Sequence, residues 1–166
     1  MSSDAQLLDT ALRLPAWETL PDFVLYMDQV IVLMERALEN VLPKGELTKS
    51  MVNNYVKVGL IPRPVGKKYD REHLALLMMI CILKQALSME EIAVLLSMLC
   101  SKSVKAGYEQ FLTEVEALRE VAVSGRIDLW LERADKKQQA LRAGVAAAIC
   151  TIVARLIISQ AKMEKK

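Results

Sequence analysis

Lys49, Ser50, Asn53, Asn54 and Lys57 crowd into one short run, and Arg63, Lys67, Lys68 and Arg71 follow closely. Side chains of these types suit a polyanion that carries hydrogen-bonding edges. Asn offers a donor and an acceptor side by side and can pair bidentately with adenine, while Lys and Arg displace counterions from phosphates. From Lys44 to His73 the chain holds seven Lys/Arg against three acids, a local charge of +4. The whole chain carries only +2, so the remainder is −2. Such asymmetry gives a near-neutral protein one cationic face.

Other chemistries lack their residues. His73 is the single histidine, and its place near a helix start favours a structural role. No paired-carboxylate motif, Gly-rich phosphate loop or nucleophile elbow is present, so neither an enzyme nor a cofactor is expected. Cys81, Cys100 and Cys150 lie far apart within apolar runs. That spacing argues against a disulfide framework or a metal site and for three buried, reduced thiols. The N-terminus lacks the basic and apolar regions of a signal peptide. Gly144 to Ser159 is apolar but short, and it contains Arg155, which favours a buried or partner-facing helix over a membrane span. A cytoplasmic protein is expected.

The elements that must carry these residues are mostly helical. Hydrophobic residues make up 53% of the 166, aromatics 5%, and Gly and Pro are few. Residues 1–14 read as a lead-in, and Trp17 and Leu20 as a segment docked on the core. A helix is predicted from Pro21–Asp22 to about Leu42 on apolar steps of three and four. Thr48 suits the N-cap of a second helix, ending near Val58 before Gly59. Two prolines and a glycine in Leu60–Tyr69 exclude helix and predict a short hairpin or extended wing. Asp70 caps a third helix to about Leu87, apolar all round and therefore central. Ser88-Met89-Glu90-Glu91 is a capping box opening a helix to about Cys100. An amphipathic helix spans about Lys105 to Val123. The last element, about Asp128 to Lys162, is one helix or two with a break near Asp135-Lys136.

Two family resemblances follow from particular residues. Val52, Tyr55, Gly59, Leu60, Ile61 and Pro62, then Lys67 and Tyr69, then Leu87-Ser88-Met89-Glu90-Glu91-Ile92, resemble the DNA-binding domain of MerR-type regulators over about 47–96. Trp17-Glu18-x-Leu20-Pro21, Tyr26-Met27, Asn53-Asn54-Tyr55-Val56-Lys57, Lys68-Tyr69-x-Arg71-Glu72-His73-Leu74 and Leu83-Lys84-Gln85 look more closely like the bacterial DUF1836 family, from about 15 to 120. The MerR likeness implies an all-α, mainly helical fold with a winged helix-turn-helix over 15–103, a minimal β wing, and C-terminal helices over 104–166. It also departs from that pattern: Asn53-Asn54 stand where the regulators carry Arg-Tyr, and the wing is shorter.

The resemblance implies a transcriptional regulator that binds double-stranded DNA as a homodimer. Lys49, Ser50, Asn53, Asn54, Tyr55, Lys57, Arg63, Lys67, Lys68, Tyr69 and Arg71 would form the DNA-binding surface. MerR-type regulators dimerise through a C-terminal helix. Here Leu141, Val145, Ala148, Ile149, Ile152 and Leu156 recur near coiled-coil spacing, and a seam that long is expected to meet a second copy rather than its own domain. The alternative is a protein-interaction module on the same fold without DNA contact. Under either reading Asn53 and Asn54 can simply be solvated, Tyr55 suits the core as well as a phosphate, and Tyr69 is expected to pack against the central helix whatever the wing does.

Overall fold

The computed structural model describes residues 13–39, 41–124 and 135–163 of the chain. It is mainly helical with one two-stranded sheet. A single 3-10 turn, Trp17–Thr19, precedes strand β1 (Leu25–Tyr26) and helix α1 (Met27–Ala37). Helix α2 (Lys49–Lys57), strand β2 (Lys68–Tyr69), α3 (Arg71–Leu83), α4 (Met89–Leu99), α5 (Val104–Ser124) and α6 (Lys136–Met163) follow. β1 pairs antiparallel with β2, Leu25 opposite Tyr69 and Tyr26 opposite Lys68.

Helix α3 is the centre. Every residue from His73 to Leu83 is buried, and α1, α5, α6 and β2 pack around it. Each large apolar side chain fully withdrawn there contributes roughly 1.5–3 kcal/mol. Its start is fixed locally, because the Asp70 carboxylate accepts the His73 N–H at 3.2 Å. The expected box at Ser88 forms as well: the Ser88 hydroxyl accepts the Glu91 N–H, and the Glu91 carboxylate accepts the Ser88 N–H at 2.7 Å.

The helix expected from Pro21 to Leu42 is shorter at both ends. Residues before Met27 instead extend into β1, because Leu25 and Tyr26 gain backbone partners on Tyr69 and Lys68. The helix stops at Ala37, and the connector Leu38–Thr48 is far longer than the turn of five or six residues expected from the sequence. Helix α3 also ends early, at Leu83, where Lys84 donates to the Glu46 carbonyl at 2.8 Å and pairs with its carboxylate at 3.3 Å.

Helix α6 corrects the expected open seam. Leu141, Val145, Ala148, Ile149 and Ile152 are all buried within the single chain, against α3, α4 and α5. The side chain of Leu156 lies outside the described residues, as do the lead-in 1–12 and the stretch 125–134. Gly144 lets α6 approach: an added Cβ would stand 3.2 Å from Leu87 Cδ1. Glu114 of α5, itself buried, accepts a 2.8 Å hydrogen bond from Arg142 Nε of α6. The boundary expected after Ser103 marks no break, since α5 and α6 share the core of the preceding helices. The thiols also differ from expectation: Cys81 is buried, Cys100 half-buried and Cys150 exposed. No helix of the described residues is long and apolar enough to cross a membrane.

Among the described glycines, Gly107 sets the closest approach. A Cβ there would lie 2.7 Å from Cys100 Sγ and 3.1 Å from the Leu99 carbonyl carbon and oxygen. An ordinary mid-helix Gly→Ala change stabilises by up to about 1 kcal/mol. Gly107→Ala is predicted to do the reverse, lowering stability by about 1–3 kcal/mol in urea unfolding. Cys100→Ala in the same chain should restore only part of the loss, because the Leu99 backbone cannot yield.

Candidate nucleic-acid interface

Helix α2 turns two faces to different surroundings. Val52 and Tyr55 point inward and are buried, whereas Lys49, Ser50, Asn53, Asn54 and Lys57 are all exposed. The Thr48 hydroxyl accepts the Met51 N–H at 3.2 Å and opens the helix. Gly59, at φ +76°, closes it by sending the Leu60 N–H back to the Tyr55 carbonyl at 2.8 Å.

The segment after α2 carries the other cations. Gly66 and Lys67 have φ of +58° and +62°, and the Lys68 N–H donates to the Val65 carbonyl at 3.0 Å. Positive φ at both central positions marks a type I′ turn, the geometry that matches strand twist. Arg63, Lys67 and Lys68 are exposed on it, with Val65 86% exposed at the tip. The hairpin expected here is minimal: Val65 bridges Lys68 antiparallel across the turn, while the paired strand for β2 is β1.

The first turn of α1 connects the two cationic elements. Asp28 forms an ion pair with Lys49 of α2, and Lys68 lies 5.7 Å from the centre of the Tyr26 ring. In the sequence Tyr26 stood out only as part of the family likeness, and Asp28 not at all. A strand of two residues has no period to detect, and an isolated acid has no motif.

Three of the expected contact residues serve other ends. Tyr55 is 3% exposed, and burial first, then Cys81 and Glu46, push its hydroxyl up to about 12. Tyr69 is equally buried, its hydroxyl raised by burial, with its ring 5.3 Å edge-on from His73. Both rings pack in the core, which corrects their assignment as surface ligands. Arg71 turns back on the N-terminal segment, donating from Nε to the Pro21 carbonyl at 3.3 Å with its guanidinium 5.7 Å from the Trp17 ring. The surface that remains is Lys49, Ser50, Asn53, Asn54, Lys57, Arg63, Lys67 and Lys68.

A family model described as a domain of unknown function (DUF1836) matches residues 15–113. The chain belongs to the DUF1836 family. The match takes in α1 to α4 and the first half of α5, and therefore the entire cationic surface. Comparison with curated proteins and with solved structures finds no match in either. Among the described residues no cluster of three His, Cys, Asp or Glu is arranged to hold a metal ion.

The surface rests on the Asp70 cap that follows it. Burial raises the Asp70 carboxyl, but hydrogen bonds from the His73 side chain and backbone outweigh it, and the net shift is downward. A lowered carboxylate pKa contributes stability that is complete above the ordinary range and lost as pH falls through the folded value. Asp70→Asn keeps a cap acceptor while removing the charge, so its acid unfolding limb should be shallower below about pH 4. Asp70→Ala should in addition cost about 0.5–2 kcal/mol at neutral pH, read by denaturant unfolding.

Proposed function

We propose that this DUF1836 protein is a DNA-binding transcriptional regulator of MerR-like type. Its α2 would read base edges in the major groove through Ser50, Asn53 and Asn54. Lys49, Lys57, Arg63, Lys67 and Lys68 would hold phosphates on either side. Acting as a dimer, it would meet a two-fold site, joined by a surface other than the part of α6 already buried in its own core.

The observation that carries the reading is the backbone at Lys67. A non-glycine residue at positive φ costs of order 1 kcal/mol, and the second central position of a type I′ turn favours Gly. Lysine stands there, exposed, beside a second exposed lysine and a few residues after the exposed polar face of α2. Strain retained at an exposed position points to the side chain's use there, and a cation is of use to a polyanion.

A second reading has its own observation. Val58 and Val65 are 56% and 86% exposed at either end of the surface, which would suit a protein partner.

Binding to random duplex DNA, followed by fluorescence anisotropy across a salt series, separates the two readings. Affinity should fall linearly with the logarithm of salt, and Lys67→Glu/Lys68→Glu should flatten that slope by about 2 or more. Lys67→Gly removes the charge and relieves the backbone. It is expected to leave thermal stability unchanged or raised while lowering affinity and reducing the slope by about 1. Absence of a complex at low salt would retire the DNA reading in favour of the protein-partner surface.

A further inference from the structure

A cavity apart from the cationic face touches it only at Asp28. It is a trough of about 660 Å³ between the N-terminal segment and the outer side of α1. Its floor follows one helical stripe: Asp28 and Gln29, then Val32 and Leu33, then Arg36 and Ala37. The ten residues of helix from Asp28 to Ala37 make that stripe about 15 Å long. The facing wall is mostly apolar, from Pro15, Leu20, Pro21, Phe23 and Leu25, with Thr19 its one polar residue.

That wall is fixed in place. The Tyr108 hydroxyl, from the middle of the core, donates to the Pro15 carbonyl at 2.8 Å. Arg71 holds the Pro21 carbonyl from the start of α3, and Trp17 between them is buried. The trough is therefore preformed, of a size that takes small ligands, rather than a crease that closes on itself. Yet it leaves Phe23 63% and Val32 51% exposed, in a chain with few aromatics to spare.

Its charges are uneven. Asp28, at one end, is already paired with Lys49. Arg36, at the other, is exposed and has no ion-pair partner among the described residues. An apolar channel ending in one unpaired guanidinium complements a molecule with an apolar body and a single carboxylate. We propose that the trough binds a medium-chain fatty acid, its alkyl chain lying along Val32 and Leu33 against Phe23 and its carboxylate on Arg36. This inference is independent of the DNA reading and needs no DNA for its test.

Isothermal titration of the full chain with decanoate, decanol and decylammonium, all below micelle formation, tests it. Decanoate should bind best, decanol more weakly and decylammonium least. Arg36→Gln should weaken decanoate about tenfold or more while leaving decanol unchanged. Val32→Asp, at a half-exposed position where folding is retained and checked by thermal melting, should abolish binding of all three. Equal binding of decylammonium and decanoate, an unchanged decanoate affinity in Arg36→Gln, or no binding heat from any ligand would overturn the proposal. Light scattering on the same samples reads a different occupant. A dimer that Val32→Asp splits into monomers would make the trough a contact between copies, and would equally overturn the fatty-acid assignment.

Discussion

A helix without a polar side has to be enclosed, and α3 from His73 to Leu83 imposes that demand on the rest of the fold. Four elements answer it: α1 and β2 from the N-terminal half, α5 and α6 from the C-terminal half. Covering α3 consumes apolar stripes that, on another scaffold, would be free for a partner. The stripe of Leu141, Val145, Ala148 and Ile152 is spent this way, and Gly107 and Gly144 are the small residues that let the covering helices come close enough. Helix α2 stands apart from this enclosure. It fully buries only Val52 and Tyr55 of its nine residues, with Met51 and Val56 half-buried against the core, so its polar face is left to solvent.

The second constraint is polar. Pro15 and Pro21 leave the N-terminal segment only the short 3-10 turn between them, and the carbonyls of the two prolines take side-chain donors, from Tyr108 and Arg71. Arg71 is thereby withdrawn from the cationic face and becomes part of the scaffold. Glu46 similarly draws in Lys84, which closes the connector after α1 over the end of α3. The same sequence region thus supplies cations of two kinds. Those with carbonyl or carboxylate partners at fixed positions are structural, and those on α2 and the type I′ turn stay in water, with only Lys49 held by a surface acid.

Local signals in the sequence proved readable where the interaction itself is local. Thr48, Asp70 and Ser88 each bond a backbone N–H three residues ahead, so each cap was visible as a short motif. Helix α1 was misplaced because Pro21-Asp22 is a good helix opening in isolation, while the pairing of Leu25 with Tyr69 spans the hairpin and could be seen only in three dimensions. The α6 stripe shows the limit of periodicity. Spacing identifies a face that will be buried, but burial by one's own α3 and burial by a second copy leave the same pattern of Leu, Val and Ile. Tyr55 and Tyr69 posed the same ambiguity, since an amphipathic ring reads alike as ligand or as core until its hydroxyl's surroundings are known. Cys150 shows the reverse error: an apolar neighbourhood in sequence did not keep that side chain from the exposed side of its helix.

The trough and the cationic face meet at one residue, and its energetics bound how strongly either could feel the other. Asp28 lines the trough and holds Lys49 at the start of α2. Both partners are well exposed, and an exposed pair of this kind is worth about 0–1 kcal/mol. A ligand that displaced Asp28 outright would therefore change the affinity of the face by no more than about fivefold through this pair. Larger coupling would require α1 itself to shift, and Val30 and Met34 oppose that. Both are buried against the core, so a moved helix would lose their packing before it gained anything from the trough. A ligand along the outer stripe of α1 consequently leaves the inner stripe seated, and the two surfaces are separated by a helix that the core holds in place.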